Sequence, residues 1–482
     1  MNILLAAGEM APFVRIGELA DAISDLSGEL RRLGHDVTVV LPLYRAIREG
    51  KAAKFKKSKI RFAVPVGSGP MPCEIFETKA PNGVRVCFVS RDEYFDRSGI
   101  YGVDGRDYQD NAARFIFFTK CVLELAGRLD SPPDILHVNS WETALAPVMV
   151  SERKLPFRTV ITPHSLEFQG NFWSYDFALT NLPGEYFSAR GVEYYGSMNC
   201  LKGGLLYADA VVFPSERMVC AVQTPEFGCG LESVLREHQH KLCGIPSGAD
   251  LEDWDPASDD VLAAKFSAAK PGGRRKNRAA LFKAAEWDES DGPAFVVFSE
   301  ASADGTDLLL AALDRLLTGD VRLLLLGPVK DSLRQELEVA RRKHRGCFTH
   351  QSEFKKSLAR QALAGADFLL VPGAMEPRAI WLRRAIRYGA IPLVRQCGGL
   401  FQLVRDWDPA RKEGQGLVFA SPTVDGLVDA ARRAGRVLAD KTQAETLRDH
   451  VLRRDFSQDA AARGHEALYE RLLGRRHEAL VA

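Results

Sequence analysis

Apolar runs of six to eight residues alternate with amphipathic stretches along nearly the whole chain. NILLAA (2–7), DVTVVLPL (36–43), VRVCFVS (84–90), ILHVNS (135–140), RTVITPH (158–164) and AVVFPS (210–215) are almost continuous in apolar character, the pattern of strands buried on both faces. Residues 18–34 and 111–129 place apolar side chains at helical spacing. A second set of strand-like runs follows at 294–299, 321–327, 366–373, 390–396 and 415–421, again with helical stretches between them. Alternating strand and helix predicts parallel sheets with helices on both faces. The expectation is therefore two doubly wound α/β domains.

The break between the two sets is charged and bounded by Gly and Pro, PGGRRKNRAALFKAAEWDESDGP (271–293). It suggests a first domain over 1–265, a linker over 266–293, a second domain over 294–450 and a helical tail over 451–482. The tail's helical stretch, 456–480, has no docking face that the pattern identifies.

With 482 residues, 46% hydrophobic and 26% charged, the composition is that of an ordinary globular protein. Net charge is 64 − 63 = +1, which argues against a nucleic-acid or membrane-surface partner. Nine cysteines lie scattered without CxxC pairs, as expected of reduced thiols rather than a disulfide frame or a metal site. MNILLAAGEM reads as a first strand and not a signal peptide, and no apolar run reaches the ~18 residues of a membrane span. These features together predict a cytoplasmic protein.

In doubly wound sheets, ligands bind beyond the carboxyl ends of strands. The residues placed there include Gly8, Ser140, His164, Glu300, Gly327, Glu376 and Gly398. In APFVRIGELAD (11–21), Gly17 offers close backbone approach beside the cation Arg15, or the segment is a plain loop and cap. His164 reads as a structural or a catalytic imidazole. Glu376 starts a helix, where an acid is favoured as a cap and could also accept sugar hydroxyls. The Gly398–Gly399 turn offers amides to an oxygen ligand. Most surprising is SEASADGTD (299–307), a loop between a strand and a helix. Such loops favour anions, yet this one carries Glu300 and Asp304 and no cation.

The order of these fragments resembles bacterial glycogen synthases and plant starch synthases. GEMAPFVRIGELAD (8–21) stands where that family has S-E-x-x-P-x-x-K-x-G-G-L-[AG]-D. Further collinear matches are YFDRSGIYG (94–102), YQDNAARFIFF (108–118), HSLEFQGNF (164–172), NCLKGGLLYADAV (199–211), TPEFGCGLESVL (224–235), GIPSGADLEDWDPASD (244–259) and MEPRAIWLRRAIRYGAIPLVRQCGGL (375–400). The resemblance implies two Rossmann-like domains facing a deep cleft, the GT-B arrangement. It implies transfer of glucose from ADP-glucose to an α-1,4-glucan with retention, without a metal or other cofactor. It places catalytic roles on His164 and Glu376, and donor contacts on Arg15, Gly17, Asp21, Lys202, Gly398, Gly399 and Leu400.

The same comparison locates departures. In the family the loop after the second domain's first strand reads S-R-L-x-x-x-K-G-x-D, and its Arg and Lys grip the donor phosphates. Here the loop is one residue shorter, with Glu300 in place of the Arg and Asp304 in place of the Lys. The family's H-D-W-[HQ] becomes NSWE, so Glu142 replaces a His or Gln. Glu18 replaces a Gly, and Arg378 enters beside Glu376, either as a compensating cation or as a plain surface residue. The resemblance thus implies a glucosyltransferase with a degenerate phosphate site. The alternative is an impaired relative that binds glucan or regulates an active synthase.

Overall fold

The computed structural model describes residues 1–17, 19–50, 54–103, 106–246, 248, 254–299, 305–373, 380–396, 403–454 and 458–474. The chain divides into two compact units, Met1–Gly248 with Gln458–Ala482, and Ala249–Ser457.

The main sheet of unit 1 has nine described strands: Asn2–Ala6 (β1), Asp36–Pro42 (β2), Lys56–Val66 (β3), Gly69–Lys79 (β4), Arg85–Ser90 (β5), Ile135–Asn139 (β6), Arg158–Thr162 (β7), Ala210–Phe213 (β8) and Leu242–Gly244 (β9). Their order across the sheet is β9-β8-β7-β6-β1-β2-β5-β4-β3. Pairing is parallel from β9 to β5 and antiparallel from β5 through β4 to β3. The apolar continuity of β1 has its expected cause: Ile3, Leu4, Leu5 and Ala6 are no more than 2% exposed. Helix α1 (Leu19–Arg32) buries Leu19, Ile23, Ser27 and Leu30, one face at helical spacing. Helices α2 (Asn111–Ala126) and α3 (Cys200–Tyr207) are buried on almost every side.

The antiparallel β3–β4 hairpin was not among the expected elements. Its strands alternate exposed and half-buried positions, a two-residue period that carries little apolar signal. It turns at Gly67, whose φ of +62° favours glycine.

Among its described residues unit 2 holds six strands, Ala294–Phe298 (β10), Arg322–Leu326 (β11), Phe348–Gln351 (β12), Phe368–Val371 (β13), Ile391–Arg395 (β14) and Leu417–Phe419 (β15). All pair in parallel, in the order β12-β11-β10-β13-β14-β15. The expected α/β class with parallel sheets is observed.

Two boundary expectations are corrected. Unit 2 begins at Ala249, not after residue 265. The stretch read as a linker, 266–293, contains helix α4 (Arg274–Ala284), which packs on helix Lys356–Gly365. Two of its cations, Arg274 and Arg278, turn inward. Arg274 is 8% exposed, and its guanidinium donates to the carbonyls of Leu363, Tyr388 and Ala366. Arg278 forms an ion pair with Asp367.

The tail also splits. Residues up to Leu452 finish a unit 2 helix, Lys441–Leu452, whereas Gln458–Leu472 belongs to unit 1. That last helix packs on α1 and buries Ala462, His465, Leu468 and Tyr469. No described helix is long and apolar enough to cross a membrane.

Candidate functional site

A doubly wound sheet offers its ligand site where strand order reverses. In unit 1 that point lies beyond the carboxyl ends of β1 and β6, where the chain leaves β1 for β2 on one side and β6 flanks the other. Three segments converge there: 7–17 after β1, 140–144 after β6 and 163–170 after β7.

The loop after β1 is braced by an acid. Glu9 is 4% exposed, and its Oε2 accepts from the backbone N–H of Ile16 at 2.6 Å and of Gly17 at 3.0 Å. Its Oε1 accepts from the Tyr101 hydroxyl at 2.9 Å. Arg15 pairs with Asp21 at the start of α1. A Cβ on Gly17 would meet nothing within 4 Å, so no packing constraint within the protein demands glycine there. The sequence-predicted residues Arg15 and Gly17 lie on this loop, and Asp21 in the first turn of α1 pairs with Arg15.

His164 follows β7. Its Nε2 lies 3.0 Å from Asn139 Oδ1, at the end of β6. The Asn139 amide donates to the Ala6 carbonyl at 3.2 Å, which leaves Oδ1 as the acceptor and puts the hydrogen of His164 on Nε2. Asn139 was not predicted as a site residue, because its place as the imidazole's orienter depends on burial and pairing across β1, β6 and β7. Truncating it by Asn139→Ala should cost about 2 kcal/mol, through buried groups left unpaired. The His164 ring nitrogens should lose their fixed tautomer. Nitrogen NMR shifts of His164 check this; an unchanged tautomer would show that Asn139 does not orient the ring.

Next to Asn139, Ser140 has φ +56° and ψ −173°, a backbone region otherwise left to glycine. Strain of this kind at a strand end is characteristic of ligand sites. Glu142 follows, 4% exposed, with burial pushing its carboxyl up to about 7.

Lys202, expected as a donor contact, is engaged elsewhere. Its ammonium donates to the carbonyls of Ala189 at 2.7 Å, Gly191 at 3.0 Å and Glu193 at 2.6 Å. All three of its protons are accounted for. Burial lowers its pKa, and its observed role is to pin the segment 189–193.

In unit 2 strand order reverses at β10 and β13. Ser299, just past β10, donates from Oγ to the Pro328 carbonyl at 2.9 Å and lies 3.2 Å from Thr306 Oγ1. Thr306 begins helix Thr306–Leu316, whose N-cap, Gly305, supplies no side-chain cap. Backbone approaches are very close here. A Cβ on Gly305 would fall 2.5 Å from the Gly373 nitrogen, and one on Gly327 would fall 2.1 Å from the Ser299 carbonyl oxygen. A helix N-terminus whose N-cap residue supplies no side chain is thereby brought to the switch point, the setting for an anion. Beside it, the Phe298 and Trp381 rings stack at 4.0 Å and 5°, with half-exposed Phe354 at 5.1 Å from Trp381. This aromatic cluster was also missed, since its members are far apart in sequence. Glu300, Asp304, Glu376, Arg378, Gly398, Gly399 and Leu400 lie outside the described residues.

Residues 2–237 match the starch synthase catalytic domain family. The chain is 35% identical to a glycogen synthase of Opitutus terrae, covering 97% of this chain and 99% of the relative. It is 33% identical to one of Koribacter versatilis, covering 98% of each. Among solved structures, the catalytic domain of starch synthase IV from Arabidopsis thaliana, bound to ADP and acarbose, superposes with a TM-score of 0.79 at 26% identity over 98% of this chain and 99% of that one. The architecture is accordingly that of the GT-B glycosyltransferases. With this identity sustained along the full length of its relatives, the chain belongs to the glycogen and starch synthase family of glycosyltransferases.

Proposed function

We propose that the protein engages an α-1,4-glucan and carries an impaired form of glucosyl transfer from ADP-glucose, in which the donor diphosphate is poorly held. The observation that carries this reading is the acidic loop leading into a helix N-terminus whose N-cap residue supplies no side chain: Glu300 and Asp304 stand in sequence where the family has an Arg and a Lys. A phosphate-binding helix end is favourable to negative charge, and here the chain supplies that charge itself. Asp307, in the helix's first turn, adds a third acid.

The sugar side is better kept. His164 with its orienting Asn139, and the Arg15–Gly17–Asp21 loop, support retention of a glucosyl-handling pocket. Glu376 is present in sequence as the second catalytic group. In the family's reaction, cations stabilise the departing diphosphate, where charge accumulates in the transition state. Losing them reduces transfer without removing glucan binding. Arg378 is the one new cation beside Glu376 and would act as partial compensation.

A second reading follows from the same acids: a cytoplasmic regulatory partner that associates with an active synthase and occupies its glucan. The eight cysteines among the described residues are all free thiols, which supports a reducing location.

Calorimetric titration with ADP and with ADP-glucose tests the proposal, alongside electrophoresis through glycogen-containing gels. The expected result is retardation by glycogen with no nucleotide binding at micromolar concentrations. Micromolar affinity for either nucleotide would overturn the impaired-donor reading. Free migration through glycogen would overturn the glucan reading.

A further inference from the structure

We propose that Glu142 is a proton-linked positioning residue for the Arg15–Gly17 loop, acting through Tyr101 and Glu9. This rests on the reading above that the loop serves the donor sugar.

The geometry is a chain of hydrogen bonds with one proton too few. Glu9 braces the loop by accepting from Ile16 N–H, Gly17 N–H and the Tyr101 hydroxyl. Tyr101 has a single hydroxyl hydrogen, and it is spent on Glu9. Glu142 lies within hydrogen-bonding reach of the same hydroxyl and competes for it. A Cβ placed on Gly8 would meet Tyr101 Oη at 2.8 Å and Glu142 Oε1 at 3.2 Å, so both atoms border one point beside β1. Glu142 Oε2 is buried and makes no hydrogen bond.

Tyr101 can satisfy Glu142 only by accepting from it, which requires Glu142 to carry a proton. When Glu142 is protonated, the donors run in one direction: Glu142 to Tyr101, Tyr101 to Glu9, and Glu9 accepts from the loop. When it is ionised, two buried carboxylates compete for one hydroxyl hydrogen and repel each other. Glu9 then loses its third donor and its grip on the loop loosens. The family places His or Gln at this position, residues that keep an N–H to donate on either side of neutrality. Glu142 keeps that role only while protonated.

The other groups facing Glu142 do not relieve it. Tyr44 is fully buried, and its hydroxyl makes no hydrogen bond. The Cys200 thiol is buried and pushed up by that burial. Arg114, whose charge acts on Tyr44, spends its guanidinium on Tyr94 O, Asn111 Oδ1 and Ile100 O. The Glu142 carboxyl, raised by burial to about 7, changes charge in the neutral range.

Amide hydrogen exchange of Ile16 and Gly17, corrected for intrinsic rates, tests the proposal without nucleotide or glucan. Protection in the wild type should fall about tenfold between pH 6 and pH 8, the loss of one charge-assisted hydrogen bond. Glu142→Gln supplies a permanent donor and should give a flat, high profile. Tyr101→Phe breaks the chain and should give a flat, low one. A flat wild-type profile, or the same slope in Glu142→Gln, would overturn the inference and leave the nucleotide titration untouched. If Glu142→Gln fails to fold, the infrared carbonyl stretch of a protonated carboxyl in the wild type decides. It should disappear as pH rises through neutrality, and a band absent at pH 6 would also refute the proposal.

Discussion

Replacing Glu300 by Arg together with Asp304 by Lys is expected to raise affinity for ADP about a thousandfold. Opposite charges ~4 Å apart are worth about 4 kcal/mol at an effective dielectric near 20. Solvent and salt around a phosphate-binding loop screen much of that. Counting about half for each position gives ~4 kcal/mol for the pair, and ~1.4 kcal/mol is one decade in affinity. Each single replacement should contribute roughly thirtyfold, with the loop's one-residue shortening deciding which contributes more. Calorimetry with ADP measures the affinity, and repeating it at high salt should shrink the gain if its origin is Coulombic. Glucose incorporation into glycogen from ADP-glucose should rise in parallel, because the same cations stabilise the leaving diphosphate. If the double variant binds ADP no better than the wild type, the acidic loop is not what closes the donor site. The impaired-donor reading would then have to rest elsewhere.

The sequence carried most of the fold because buried parallel strands advertise themselves as apolar runs. β1, β6, β10 and β13 fall almost where the runs predict. What it concealed was burial of polar groups. Arg274 and Arg278 fell within the expected linker and instead fasten α4 to backbone carbonyls and to Asp367. The hairpin β3–β4 alternates charge with half-buried positions and so lacked a continuous signal. In the candidate site, His164 was singled out by its position at a strand end, and Gly17 and Arg15 by the loop that feeds α1. Asn139, Glu9 and Tyr101 were not, since their importance lies in hydrogen bonds across segments up to 133 residues apart. Lys202 was expected as a donor contact from its place in a matching motif, and the three carbonyls that take up its ammonium are visible only in the fold.

Acid should weaken unit 1 through the helix Gln458–Leu472, well before general acid denaturation. The helix is held by a buried imidazole pair. His137 Nδ1 lies 2.7 Å from the Tyr469 hydroxyl, and its Nε2 lies 2.8 Å from Thr162 Oγ1. His465 stacks on His137 at 5.6 Å and hydrogen-bonds through Nδ1 with the Ala461 carbonyl at 2.9 Å. Burial lowers both, His465 from 6.5 to about 4 and His137 well below its ordinary value, and each ring would repel a proton on the other. An imidazole whose folded pKa lies below its unfolded one takes up its proton in the unfolded chain first. The stability it contributes is complete above pH ~6.5 and is lost as pH falls toward ~4. For His465 that window corresponds to about 3 kcal/mol, and His137 adds to it in the same direction. Urea unfolding at pH 7 and pH 5 should therefore show a marked fall in midpoint. His465→Gln, which cannot charge, should reduce the slope with pH. Tyr469→Phe leaves His137 Nδ1 buried without its partner and should cost about 1–3 kcal/mol at pH 7. A midpoint that moves equally with pH in the wild type and in His465→Gln would place the acid sensitivity outside this helix.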